Sequence, residues 1–132
     1  MEDRKGNPLA STTLPRNELR CEEGILVYRL CVAVDEKEAQ RLDEAGRVFL
    51  ERGEADRILI DIRRSTDFSS AARRRWVAFL KNPAIKKAAI FGGSTFIRTL
   101  ATFVIGASGR KNVRFFATEQ EARAWLHEPV TP

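Results

Sequence analysis

The sequence predicts a single α/β domain built on a mixed, mostly parallel sheet, and three observations carry that prediction. Short apolar and β-branched runs alternate with capped amphipathic stretches, the pattern of right-handed crossovers between parallel strands. One run, RILIDIR at residues 57–63, is nearly continuous in apolar side chains, as a strand buried on both faces requires. The chain has 132 residues, a one-domain length, and is 43% hydrophobic and 31% charged, which marks a globular rather than a disordered chain.

The elements follow in order. Residues 1–15 hold Pro8, Pro15 and a Ser-Thr-Thr run without periodicity and read as a flexible leader. Residues 17–21 and 25–34 read as two strands of a hairpin turning at Glu23-Gly24. That turn pairs Glu22 with Ile25 and Cys21 with Leu26. Asp35 caps a helix over residues 35–52, with Glu38 at the capping-box spacing and Gly53 as its stop. After the 57–63 strand, Ser69 or Ser70 caps a second helix running to Lys81, which Asn82-Pro83 ends. Residues 87–91 (KAAIF) form a strand, and Gly92-Gly93 turns the chain. Ser94 or Thr95 caps a third helix through about residue 107. Residues 112–116 (NVRFF) form the last strand, and Thr118-Glu119-Gln120-Glu121 opens a fourth helix. The order is β-β-α-β-α-β-α-β-α, with five strands and four helices. The domain spans 16–128 and a tail occupies 129–132.

Composition excludes several classes. No apolar run approaches the length of a bilayer span, and the N-terminus lacks the apolar stretch of a signal peptide, so the expected location is cytoplasmic. Cys21 and Cys31 lie on opposite sides of the hairpin turn, offset by about 17 Å, too far for a disulfide or a shared metal. They read as free thiols. With one histidine, His127, no tetrahedral metal site can be assembled. No cofactor is expected.

The net charge of +5 is unevenly spread. Residues 63–114 hold twelve basic residues and one acidic residue, for +11, against −4 in residues 1–62 and −2 in the tail. Arg73-Arg74-Arg75 could suggest nucleic acid, but Trp76 falls on the apolar side of its helix, and no nucleic-acid-binding motif is present, so no specific nucleic acid is expected. The split points to an oriented, salt-sensitive docking surface.

Two stretches resemble a known family. Ile58-Leu59-Ile60-Asp61-Ile62-Arg63 is a central strand ending in Asp-x-Arg, and Phe116-Ala117-Thr118-Glu119-Gln120-Glu121-Ala122 leads to Trp125-Leu126. In these residues the chain resembles STAS-type domains, and within them the SpoIIAA-like branch of small bacterial proteins, over about residues 17–128. The resemblance implies a STAS-like domain with helices on one face of the sheet or wrapped around it, and no established enzymatic activity. In the anti-sigma-factor antagonists, an Asp-Ser-Ser-Gly segment after the central strand carries a serine phosphorylated by a partner kinase. This chain has Asp67-Phe68-Ser69-Ser70-Ala71 there, with Phe68 interrupting and Ala71 in place of glycine.

Candidate sites follow. Ser69 and Ser70 are either phosphosites at a helix N-terminus or plain caps. Gly93, Ser94 and Thr95 open a helix after a strand and offer amides to an anion, assisted by Arg63, Arg64 or Arg98, although neither a phosphate-loop nor a dinucleotide fingerprint is present. Asp61 stands at a strand end without a second carboxylate, so no catalytic residue is assigned. The third helix is apolar around much of its circumference. It is either deeply buried, or Phe96, Ile97, Leu100, Phe103 and Val104 meet another copy, a partner or an apolar ligand. The functional expectation is a non-enzymatic interaction or regulatory module, self-associating through that helix. The alternative is a carrier or sensor of a small anionic or lipid-like ligand near the N-termini of the second and third helices.

Overall fold

The computed structural model describes residues 16–130, so the expected leader lies outside them. Nine elements follow the expected order: β1 (Glu18–Glu22), β2 (Ile25–Arg29), α1 (Glu36–Glu51), β3 (Arg57–Asp61), α2 (Ser70–Leu80), β4 (Lys87–Phe91), α3 (Thr95–Ser108), β5 (Val113–Phe116) and α4 (Glu119–His127). The strands lie in sequence order across one sheet. β1 and β2 are antiparallel, with Glu22 opposite Ile25 and Cys21 opposite Leu26. The other pairs are parallel.

Strand alternation divides the core into two layers. Leu26, Tyr28, Ile58, Ile60, Ala88 and Ile90 point to the face covered by α1, α2 and α3. Ile25, Val27, Leu59, Ala89 and Phe91 point to the other face, where Ala122 and Leu126 of α4 pack. The central strands are therefore buried on both sides, as their apolar runs require.

The helix starts are set locally. Asp35, Ser69, Ser94 and Thr118 each accept a hydrogen bond from the backbone N–H three residues on. Ser69 rather than Ser70, and Ser94 rather than Thr95, are thus the caps. The Glu38 carboxylate turns instead to Asn17 Nδ2 (2.8 Å) and to Arg41 (2.9 and 2.8 Å).

β2 ends at Arg29 instead of running on to residue 34, and Asn17 is the reason. Its buried Oδ1 accepts from the backbone N–H groups of Cys31 (2.7 Å) and Val32 (3.0 Å), drawing them out of the ladder. Replacing Asn17 with Ala strands both donors and leaves Glu38 with Arg41 alone. The expected cost is about 2 kcal/mol, read as a lowered urea midpoint at unchanged slope.

Among the described residues five glycines have positive φ, and two of these matter for the strand ends. Gly92 and Gly93 have φ +88 and +92, and a Cβ on Gly92 would overlap the Arg63 side chain. A Cβ on Gly93 would crowd the Ile62 carbonyl and Ile97, each at 3.2 Å. The Gly-Gly pair lets the β4–α3 turn lie against the end of β3.

Candidate functional site

Two regions merit description: the strand ends around Asp61, and the outer surface of α2 and α3. Asp61 closes β3 and is 7% exposed. Its Oδ1 accepts from the Arg63 backbone N–H (3.0 Å) and Nε (3.1 Å). Its Oδ2 accepts from Arg63 Nη2 (2.8 Å) and Arg29 Nη1 (2.7 Å). Arg29 also reaches Glu119 on α4 (3.4 Å), and Glu119 accepts from Arg123 (2.7 Å). The Arg63 guanidinium lies over the Phe91 ring, 5.2 Å from its centroid. Arg29, Cys31, Arg63 and Arg64 border a shallow cleft of about 330 Å³ beside this network.

This geometry makes Asp61 an organiser of cations. Burial pushes its carboxyl up, but the hydrogen bonds and charge of Arg63, and the hydrogen bond of Arg29, outweigh that and hold it below the usual aspartate range. Glu38 is lowered chiefly by Arg41, against burial and with help from Asn17. Glu119 is lowered chiefly by Arg123, against burial and with help from Arg29. Each of the three binds protons less readily folded than unfolded, so each stabilises the fold above the ordinary carboxylate range and loses that contribution as pH falls through its lowered value. Thermal melts are therefore expected to drop steeply below about pH 4, and a flat melting temperature from neutrality to pH 3 would contradict this.

At the expected anion cradle, each cap serine engages one backbone amide of its helix. The Ala72 and Ile97 backbone N–H groups donate to Ser69 Oγ (3.0 Å) and Ser94 Oγ (3.3 Å). Gly93 is a packing position, and Arg63 is turned to Asp61. Thr95 is exposed at the start of α3, and its carbonyl accepts from Thr99 Oγ1 (2.9 Å). Ser69 is half-buried and Ser70 exposed.

The third helix resolves into two faces. Ile97 and Val104, expected among the contact residues, are 2% and 5% exposed and point into the core. Leu100 is half-buried against it. Phe96 and Phe103 are 57% and 71% exposed. Successive helical residues turn by about 100°, so with the 97/104 pair facing inward the adjacent 96/103 pair lies on the flank of the helix, clear of the core. Beneath the helix lies an apolar cavity of about 30 Å³ reached by Ile60, Trp76, Ile90, Ile97 and Val104. Trp76 Nε1 is buried without a hydrogen-bond partner among the described residues. Trp76 itself is held edge-on to Tyr28 and Phe79, at centroid distances of 5.1 and 5.5 Å.

On the other side of Phe103, a groove of about 310 Å³ runs between α2 and α3, lined by Ser70, Arg73, Arg74, Val77, Phe103 and Ala107. Arg73 Nη1 donates to the Phe68 carbonyl (2.7 Å). Arg75 turns away, to Asp43 on α1 (2.6 Å). Arg74 is exposed and has no carboxylate partner among the described residues. Both cysteines are free, as expected. Among the described residues no helix is long and apolar enough to cross a membrane.

Sequence reasoning named Asp61 and Arg63 but missed Arg29, Glu119 and Asn17. Asp61 and Glu119 lie 32 and 90 residues from Arg29, and only the strand order brings them together. For Asn17 the sequence carries no signal, since it stands between Arg16 and Glu18 before a strand, ELRCE, that is itself largely polar.

Comparison with known proteins places this geometry. The anti-sigma factor antagonist SpoIIAA in its unphosphorylated form superposes with a TM-score of 0.62 at 17% identity, covering 83% of this chain and 96% of that one. An uncharacterised protein from Shewanella loihica PV-4 with a SpoIIAA-like fold gives 0.65 at 20% identity, covering 88% and 98%. An anti-sigma factor antagonist from Mycobacterium paratuberculosis gives 0.64 at 15% identity, covering 85% and 93%. At these identities the likeness shows the fold. No curated protein matches the sequence. The SpoIIAA-like family model matches residues 25–127, from the first residue of β2 to the last of α4, and the chain belongs to the SpoIIAA-like family.

Proposed function

We propose that this protein is a non-enzymatic interaction module of the SpoIIAA-like family that docks a protein partner on the outer face of α3. The observation that carries this reading is the pair of exposed phenylalanines, Phe96 and Phe103, one above the other on a helix whose adjacent stripe is in the core. Large aromatic side chains left in water on one helix stripe are costly unless something covers them. The related anti-sigma factor antagonists lend the general role. A non-catalytic role is supported at Asp61, whose oxygens are committed to four hydrogen bonds from arginines. That leaves the carboxylate no capacity as a proton acceptor near neutral pH. If phosphorylation regulates docking, Ser70 is the accessible serine, since Ser69 Oγ is engaged in capping.

The test is photocrosslinking in the cell of origin, with a photoreactive residue at position 103 and a control at Val48, which is exposed on α1. A protein adduct at 103 and none at 48 is the expected result. An adduct of twice the chain mass identifies a second copy as the occupant. Absence of any protein adduct at 103 contradicts the reading.

A second reading, a carrier of a lipid-like ligand, draws on the apolar cavity beneath α3 and the unpaired Trp76 Nε1. At about 30 Å³ the cavity holds no more than a water-sized group, so α3 would have to lift to admit a ligand. Native mass spectrometry of freshly purified protein showing a bound mass lost on denaturation would support it. The bare chain mass alone contradicts it.

A further inference from the structure

Resting on the reading of α3 as a docking face, we propose that the occupant is an acidic amphipathic helix of another protein, seated in the groove between α2 and α3, rather than a second copy of this chain. Charge is the argument. From Phe68 to Thr118 the sequence contains no aspartate or glutamate, so neither α2 nor α3 carries an acidic side chain. The α2 first turn has no acid to offset its helix dipole, which adds positive potential at Ser70. The groove itself combines Arg73 and Arg74 with Val77 and Phe103. An apolar anchor bordered by cations of one sign fits an apolar stripe bordered by carboxylates. Phe96 and Phe103 lie seven residues apart, about 10.5 Å along the helix, a spacing an opposing helix matches with its own two-turn repeat.

The same charge argues against a symmetric pair of copies. A two-fold contact places the same patch on both sides, so Arg73 and Arg74 would meet an α2–α3 surface that carries no carboxylate to pair with them. Like charges so juxtaposed select against that association.

The test measures binding of the full chain to three fluorescent peptides of one length and one apolar spacing, whose polar faces are acidic, neutral or basic. The acidic peptide is expected to bind at least about tenfold more tightly than the neutral one. That preference is expected to fade as salt rises from about 0.05 to 0.5 M. Arg74→Glu removes the preference, and Phe103→Ala weakens all the peptides. Both positions are exposed, and circular dichroism of each variant checks that the fold is intact. Equal binding of acidic and neutral peptides overturns the inference while a protein adduct at 103 keeps the docking face. No peptide binding overturns the inference, and absence of the adduct shows that the docking face has failed with it. Tighter binding to phosphatidylglycerol vesicles than to the acidic peptide, or an adduct at 103 that is a second copy, also overturns it.

Discussion

Gly46→Ala is expected to lower stability by about 2–3 kcal/mol, although alanine normally favours a helix. Gly46 sits in the middle of α1, and a Cβ there would overlap the Tyr28 hydroxyl and lie 3.2 Å from Cζ. Tyr28 has no room to retreat. It is fully buried, its ring is edge-on to Trp76 at 5.1 Å and Phe79 at 5.9 Å, and its hydroxyl donates to the Leu42 carbonyl at 3.1 Å. Either that hydrogen bond breaks or α1 lifts from the sheet, and both outweigh the gain in helix propensity of about 1 kcal/mol. The melting temperature should fall by roughly 10 °C. Tyr28→Phe removes the oxygen that clashes. In that background Gly46→Ala should cost about 1–2 kcal/mol less. Equal cost in the two backgrounds, by urea denaturation of all four proteins, would contradict the contact.

Asp61→Asn is expected to cost about 2–4 kcal/mol. The amide keeps one acceptor oxygen but turns N–H donors toward guanidiniums that already donate. Arg29, 28% exposed at its side chain, then retains only Glu119 at 3.4 Å. The penalty should depend on pH. The wild-type carboxyl is held below its ordinary value, so its stabilisation is present above about pH 4 and disappears as acid protonates it. The gap between wild type and variant should therefore narrow toward pH 3. A gap of the same size at pH 3 and pH 7 would show that Asp61 acts through shape alone.

The legible and illegible parts of this chain divide by range. Asp35 and Thr118 were readable because a cap and the amide it serves lie three residues apart, whereas Ser69/Ser70 and Ser94/Thr95 each offered two adjacent candidates that only the structure separates. The central strands were readable because burial on both faces leaves an unbroken apolar run. The role of Gly46 was not, since a glycine in a helix carries no mark of the tyrosine that needs the space. The Arg29, Asp61 and Glu119 network was hidden for a related reason, because sheet order unites residues far apart in sequence. On α3 the apolar residues were visible, but which stripe faces the core was not. The choice between Phe96/Phe103 and Ile97/Val104 is a rotation of one residue, decided by where α2 and the sheet lie. The uneven charge acquires its meaning there too: part of the basic surplus, Arg75, pairs with Asp43 of α1, and part, Arg74, borders the exposed Phe103.

The central claim is that the outer face of α3 is open in the free protein and covered by its partner. Fluorine NMR of a 4-fluorophenylalanine at position 103 reads this directly through the change in shift between light and heavy water. The account expects a full solvent isotope shift in the isolated chain at low concentration, and its loss when the crosslinked partner is added. A fluorine already shielded in the isolated monomer would contradict it.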